Sequence, residues 1–156
     1  MNHVIVAPHP DDEIIGCYEV LKREETIIII YSPDVNANRR KEAMRLKEYI
    51  DGIKVQMFQS SIPMAMINKN HKFYFPDPIY ETHPKHRELG MTGELYARSG
   101  IDVTFYSTIM NAPYIHESLE PTRKEYILNE VYASQRDMWK YEKKYVLFEG
   151  YCKWVF

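Results

Sequence analysis

The stretch VIVAPHPDDEII (residues 4–15) decides how the rest of the chain can fold. It begins with an apolar run typical of a buried strand and ends where a helical pattern starts, so its polar centre connects a strand to a helix. In an open α/β sheet, ligands bind at the carboxyl ends of the strands. An imidazole and three carboxylates at such a place indicate a metal site, a proton-transfer site or a polar loop whose aspartate caps the helix.

Strands and helices alternate through the first half of the chain. The predicted strands cover 3–7, 26–31 and 54–58, and the predicted helices cover 12–24 and 38–50. The first two strands are apolar without alternation, which is typical of strands buried on both faces of a parallel sheet. This order of elements predicts right-handed βαβ crossovers.

The second half of the chain is less regular. Its predicted elements are a strand at 72–75, a helix at 86–99, a strand at 101–109, a helix at 121–138 and a last strand at 145–148. No repeat or linker divides the sequence. It therefore predicts a single domain over residues 1–156, with a Rossmann-like, doubly wound, mostly parallel sheet and helices on both faces.

The composition excludes several classes of protein. Apolar residues make up 45% of the chain, charged residues 27%, and the net charge is −2, without a basic run that would suit nucleic acid. No apolar stretch is long enough to cross a bilayer. Two cysteines are too few for a disulfide framework. We therefore expect a cytoplasmic domain with a small-molecule ligand and without a nucleic-acid or membrane partner; the oligomeric state is not predicted.

Two further histidines, His83 and His86, lie about one helical turn apart. On their own they would be an ordinary loop pair. If their loop also follows a strand, His9, Asp12 and His86 can meet as two imidazoles and one carboxylate. That set suits catalytic zinc, which keeps a coordination position open. Asp11 would then remain available to accept a proton from water.

The segment HPDDE (9–13) resembles the signature of the PIG-L/LmbE-like deacetylases, which include zinc-dependent enzymes that remove acetyl groups from N-acetylglucosamine-containing compounds. Residues 39–43 resemble the Arg-x-x-Glu-Ala pattern of that family, and THPKH (82–86) resembles its His-Pro-x-His motif. Residues 133–135 and Glu149 are similar to its C-terminal landmarks. The resemblance covers nearly the whole chain in the same order.

The resemblance implies a role for each of these residues. The implied ligands of Zn²⁺, or of Fe²⁺ or another divalent metal, are His9, Asp12 and His86. Asp11 would be the general base, and His83 would donate to the developing oxyanion or the leaving amine. Arg39 and Glu42 would lie near the pocket and bind the substrate or each other; their spacing alone is that of a surface pair.

Two departures from the family pattern affect these expectations. Lys85 stands between the two histidines of the second motif, where members commonly carry aspartate. A lysine there would disfavour the protonated form of His83 instead of orienting its ring. The chain is also short for the family and lacks a glycine-aspartate pair after the predicted strand 54–58. The sugar preference of the family therefore does not carry over.

The sequence thus predicts a metal-dependent hydrolase that removes an N-acetyl group from an N-acetylglucosamine-type amino sugar or a conjugate of one. Two alternatives remain open. Two histidines and one carboxylate also form the metal site of iron(II) oxygenases. A chain with Lys85 in the second motif could instead be a metal-bearing carbohydrate-binding module with weak or lost turnover. No glycine-rich loop follows the first strand, so no nucleotide cofactor is expected.

Overall fold

A seven-stranded sheet organises residues 2–156, the part of the chain that the computed structural model describes. The strands are β1 (Asn2–Ala7), β2 (Thr26–Ile30), β3 (Ile53–Phe58), β4 (His71–Pro76), β5 (Asp102–Tyr106), β6 (Ile115–Glu117) and β7 (Phe148–Cys152). Their order across the sheet is β3-β2-β1-β4-β5-β7-β6. The first five strands in this order are parallel, whereas β7 is antiparallel to both β5 and β6.

Six α-helices lie within residues 2–156. They are α1 (Asp12–Arg23), α2 (Ala37–Met44), α3 (Pro84–Arg98), α4 (Pro121–Val131), α5 (Asp137–Tyr141) and α6 (Lys144–Leu147). Proline begins α3 and α4, where its missing N–H leaves no helical hydrogen bond unmade. Within this part of the chain, no helix combines the length and the apolar character needed to cross a membrane.

The sheet has an apolar core on each face. Ile5 and Ile28 pack on one face with side chains from α1 and α4. Val4 and Ile27, their neighbours along β1 and β2, pack on the other face with Leu89 of α3. Both strands are thus buried on both sides, as their apolar sequences predict. Helices cover both faces, which confirms the predicted Rossmann-like α/β architecture.

The winding of the sheet reverses beside β1. From this strand, β2 and β3 extend the sheet in one direction, and β4 and β5 extend it in the other. Because β1 and β4 are parallel neighbours, the loops that follow them leave the same edge of the sheet side by side. A crevice between two such loops is the usual ligand site of doubly wound sheets.

The C-terminal part differs from the prediction. The expected strand at 145–148 is mostly the short helix α6, in which Val146 is the one buried residue, and the strand β7 begins only at its end. The expected helix at 121–138 is divided into α4 and α5 by a 3₁₀ turn, and the expected strand at 101–109 ends as β5 at Tyr106. A short apolar run does not distinguish a helical turn from a strand, which explains the first error.

Candidate metal centre

The loop between β1 and α1 turns sharply at Asp11. This residue has φ 112° and ψ −29°, a left-handed conformation that aspartate and asparagine tolerate better than most residues. Asp12 folds back onto the loop, and its Oδ2 accepts a hydrogen bond from the His9 N–H at 3.0 Å. The loop therefore gathers the side chains of the first motif at the carboxyl end of β1.

The second motif forms the start of α3. His83 caps the helix, because its Nδ1 accepts a hydrogen bond from the Lys85 N–H at 3.1 Å. His86 follows one turn later and is only 6% exposed. The ring centroid of His9 lies 5.1 Å from that of His83 and 5.3 Å from that of His86. The two motifs, more than seventy residues apart in sequence, thus meet at the switch point of the sheet.

Three donor atoms from the two loops form a nearly equilateral triangle. His9 Nδ1 lies 3.2 Å from His86 Nε2 and 3.4 Å from Asp12 Oδ2, and the latter two atoms are 3.3 Å apart. Tetrahedral zinc with bonds of about 2.0–2.2 Å requires ligand atoms about 3.3–3.5 Å apart. The donor types and their spacing therefore fit a zinc-like divalent cation. Within residues 2–156, this is the one cluster of its kind.

Opposite charges act between these side chains. Burial by itself would lower the pKa of His86, but the Asp12 and Glu81 carboxylates raise it to about 10. Burial would likewise raise the pKa of Asp12, but His86 and His9 hold it below its usual range. Asp12 is therefore an ionised carboxylate, which is the form that binds divalent metals.

A cavity of about 310 Å³ opens beside the triangle. Asp11 lines this cavity and is 2% exposed, and among residues 2–156 its Oδ2 has no hydrogen-bond partner. The nearest cation is Arg39, whose Nη2 lies 3.9 Å from that oxygen. Burial, reinforced by the Asp12 and Glu13 carboxylates, raises the pKa of Asp11 well above its usual range. A cation bound to Asp12 would instead lower the pKa of Asp11. The carboxylate form of Asp11, which a bound cation would restore, can accept a proton from a molecule in the cavity.

His83 lines the same cavity as a hydrogen-bond donor. Because its Nδ1 accepts from the Lys85 backbone, the proton of the neutral ring lies on Nε2. Desolvation and the rings of His86 and His9 lower the pKa of His83, which favours this neutral form. Lys85 also lowers the pKa of His83, as expected, but its effect is smaller than that of desolvation or of His86 and His9. Its ammonium group is engaged elsewhere, donating to Ser32 Oγ at 2.6 Å.

The structure separates the two residues expected to bind substrate. Arg39 lines the cavity, and its Nη2 donates to the Pro10 carbonyl at 2.9 Å. Glu42 lies outside the cavity wall; it accepts hydrogen bonds from the Ser134 hydroxyl and, at 2.9 Å, from the Ser134 N–H. Since Ser134 precedes the cavity-lining Gln135, Glu42 contacts the segment that forms this part of the wall.

Sequence reasoning missed several residues around the centre. Glu81, in the loop after β4, and Thr108, after β5, both lie beside His86. Neither belongs to a motif, and only the pairing of β4 with β5 could have suggested that they meet. The other cavity-lining residues that were missed are Ile15, Ile109, Met138 and Tyr145, whereas Gln135 belongs to the landmark at 133–135.

Comparison with known proteins supports the architecture. The chain is similar in structure to the conserved protein TT1542 from Thermus thermophilus, with a TM-score of 0.67 and 16% sequence identity over 98% of this chain and 94% of that chain. At this identity the likeness shows the fold alone. No protein-family model matches the sequence, and no curated protein matches it. The function is therefore inferred from the geometry of the site and from its motifs.

Proposed function

We propose that this protein is a metal-dependent hydrolase that removes the N-acetyl group from an N-acetylglucosamine-type amino sugar or a conjugate of one. The observation that carries the proposal is the presence of two features in one cavity. One is the triangle of His9, Asp12 and His86. The other is the carboxylate of Asp11, whose Oδ2 is unpartnered within residues 2–156. A metal-ligand set beside an available base suits hydrolysis.

In this proposal His9, Asp12 and His86 hold Zn²⁺, or Fe²⁺ or another divalent metal. Such an ion supplies Lewis acidity for an amide carbonyl and for water. Asp11 accepts the proton that water loses when it attacks the amide carbon. Arg39 keeps a positive charge 3.9 Å from this carboxylate. Asp11 can then return the proton to the departing amine, so that acid and base roles fall on one residue.

His83 acts on the substrate in this account. Its Nε2–H donates to the amide oxygen as negative charge develops there. The hydrogen bond from the Lys85 N–H to Nδ1 holds the ring before substrate binds. A donor held in this way needs no reorganisation during the reaction. The neutral ring is sufficient for this role, so the lowered pKa of His83 does not oppose it.

Two features support the amino-sugar class of substrate, without selecting a particular sugar within it. The motifs at 9–13 and 82–86 resemble those of the PIG-L/LmbE-like deacetylases in composition and order. The cavity volume lies at the lower end of the range for small-molecule sites, about 300–1,000 Å³. Its wall combines Arg39 and Gln135, which can bind hydroxyl groups, with the apolar side chain of Met138.

Release of acetate tests the proposal. Protein loaded with one equivalent of Zn²⁺ is incubated under anaerobic conditions with N-acetylglucosamine and a panel of its glycosides and conjugates. We expect acetate and free amine in equal amounts, loss of both on chelation and recovery on addition of Zn²⁺. Activity without oxygen would exclude the iron(II) oxygenase alternative. Sugar binding without any product would contradict the proposal and favour a binding module.

A further inference from the structure

A carboxylate and a hydroxyl lie at the Nδ1 side of the His86 ring. His86 Nδ1 is 3.0 Å from Thr108 Oγ1 and 3.4 Å from Glu81 Oε1. Glu81 Oε1 in turn accepts hydrogen bonds from the Thr108 hydroxyl and, at 2.9 Å, from the Thr108 N–H. Both residues are buried, with exposed fractions of 2% for Glu81 and 3% for Thr108. Bulk water therefore does not compete for these hydrogen bonds.

The direction of these hydrogen bonds determines the tautomer of His86. A hydroxyl carries one proton, and Thr108 donates its proton to Glu81, so it offers only a lone pair to His86. Nδ1 must therefore supply an N–H. When the ring gives up a proton to bind a metal, Nδ1 keeps its N–H and the lone pair lies on Nε2, the atom that faces His9 and Asp12. Histidines that bind metals usually have their other N–H held by an oxygen acceptor in this way.

We propose that Glu81 and Thr108 are positioning residues of the metal centre. Through Thr108, Glu81 holds His86 in the tautomer and orientation in which Nε2 can bind a metal. The inference rests on the metal-binding part of the proposed function and not on deacetylation. Glu81 Oε2 has no hydrogen-bond partner among residues 2–156. Burial of this oxygen without a partner costs the fold stability, so the contacts of Glu81 with Thr108 and His86 are made at that cost.

The affinity for Zn²⁺, measured by competition with a chromophoric chelator, tests this role. Thr108→Val keeps the side-chain shape but removes the hydroxyl, and Glu81→Gln keeps the shape but removes the charge. We expect each variant to bind Zn²⁺ about 10- to 100-fold more weakly than the wild type, and Thr108→Ser, which restores the hydroxyl, to remain within about threefold of it.

Thr104→Val is the matched control. Thr104 is another buried threonine, in β5, and its hydroxyl has no hydrogen-bond partner among residues 2–156. Its removal should leave the Zn²⁺ affinity at the wild-type value. Thermal unfolding of each variant in the presence of chelator shows that the affinities refer to folded protein. A purely structural role of Thr108 would lower the unfolding temperature while leaving the affinity of the folded protein unchanged.

The outcomes separate this inference from the proposed function. Equal Zn²⁺ affinities of Thr108→Val and Thr104→Val would overturn the positioning role while leaving the metal centre in place. A wild-type protein that does not bind Zn²⁺ would overturn both. Weaker binding in Thr108→Val, restored in Thr108→Ser, would support the positioning role even if no acetylated sugar were hydrolysed.

Discussion

Asp11 has both an unusual backbone conformation and an unusual side-chain environment. Its left-handed φ of 112° costs of the order of 1–3 kcal/mol in a non-glycine residue. A hydrogen bond from the Asp11 N–H to Glu13 Oε2 at 3.0 Å helps to hold this conformation. The side chain, 2% exposed, is thereby fixed against the cavity. Backbone strain of this kind is concentrated at functional sites.

The role of Asp11 as a base leads to the first prediction. Asparagine tolerates the left-handed conformation and has the same volume, but it cannot accept the proton. Asp11→Asn should therefore keep its Zn²⁺ content while acetate release slows by about 10²- to 10⁴-fold. Asp34→Asn, at an exposed aspartate in the loop after β2, should change neither quantity. A near-wild-type rate in Asp11→Asn would show that another group is the base.

At the scale of elements, α4 holds the start of α1. Glu13 is fully buried in the first turn of α1, and its Oε1 accepts a hydrogen bond from the hydroxyl of Tyr132, at the end of α4. Its other oxygen accepts from the Asp11 N–H. Burial raises the pKa of Glu13 to about 7. Tyr132 is thus connected to the proposed base through one side chain.

Removal of the Tyr132 hydroxyl is the second prediction. Tyr132→Phe leaves Glu13 Oε1 buried without that donor, which should reduce the free energy of unfolding by about 1–3 kcal/mol. Acetate release should also slow because Asp11 is held less firmly, while Zn²⁺ content stays constant. Urea unfolding measures the first effect. Tyr126→Phe is the control, since Tyr126 is 46% exposed. Equal stabilities of the two variants would contradict a stabilising hydrogen bond from the Tyr132 hydroxyl to Glu13.

Lys124 joins three elements in the interior. It belongs to α4, is fully buried, and its Nζ donates to the carbonyls of Ile15 in α1 at 2.7 Å and of Phe148 in β7 at 3.1 Å. Burial lowers the pKa of Lys124 to about 8, although the Glu149 carboxylate acts in the other direction. The lysine therefore supplies a hydrogen-bond donor to one carbonyl of α1 and to one carbonyl of β7.

The third prediction follows from these contacts. Lys124→Met should lower the free energy of unfolding by about 2–4 kcal/mol, since the Ile15 and Phe148 carbonyls lose this donor. The pKa of Lys124 is about 8 in the folded chain and 10.5 in the unfolded chain, so between these pH values the unfolded chain binds more protons at this residue. The free energy of unfolding of the wild type therefore rises with pH over this range. The stability difference between the two proteins should widen by up to roughly 3 kcal/mol over that range. If chemical unfolding gave the same stability difference between the two proteins at every pH, this result would contradict the lowered pKa of Lys124.

At the scale of the whole molecule, the sequence predicts the half of the fold that forms the site. β1 and β2 are buried on both faces, so continuous apolar runs identify them without further information. Parallel strands place the loops after β1 and β4 at the same edge of the sheet, and the strand order of the structure makes these two loops neighbours. For this reason His9, Asp12 and His86 could be grouped from the sequence, and the structure does bring them together.

The remaining features depend on contacts that leave no local pattern. β6 has three residues, and β7 contains Gly150 and the buried Glu149, so neither has an apolar run. A side chain at Gly150 would meet Tyr114 and Ile115, which explains a glycine inside this strand. Glu81 and Thr108 lie in separate loops, and the C-terminal wall of the cavity follows from packing. Periodicity cannot identify such pairs.

The central claim is that the switch point of the sheet forms a metal centre from His9, Asp12 and His86. Equilibrium dialysis against Zn²⁺, followed by metal analysis of the protein, tests it most directly. The wild type should hold one Zn²⁺ per chain, and His9→Ala and His86→Ala should hold none. His71→Ala should keep its ion, because His71 lies in β4 and contacts the Met66 carbonyl. No bound Zn²⁺ in the wild type, or one ion per chain in both alanine variants of the centre, would contradict the account.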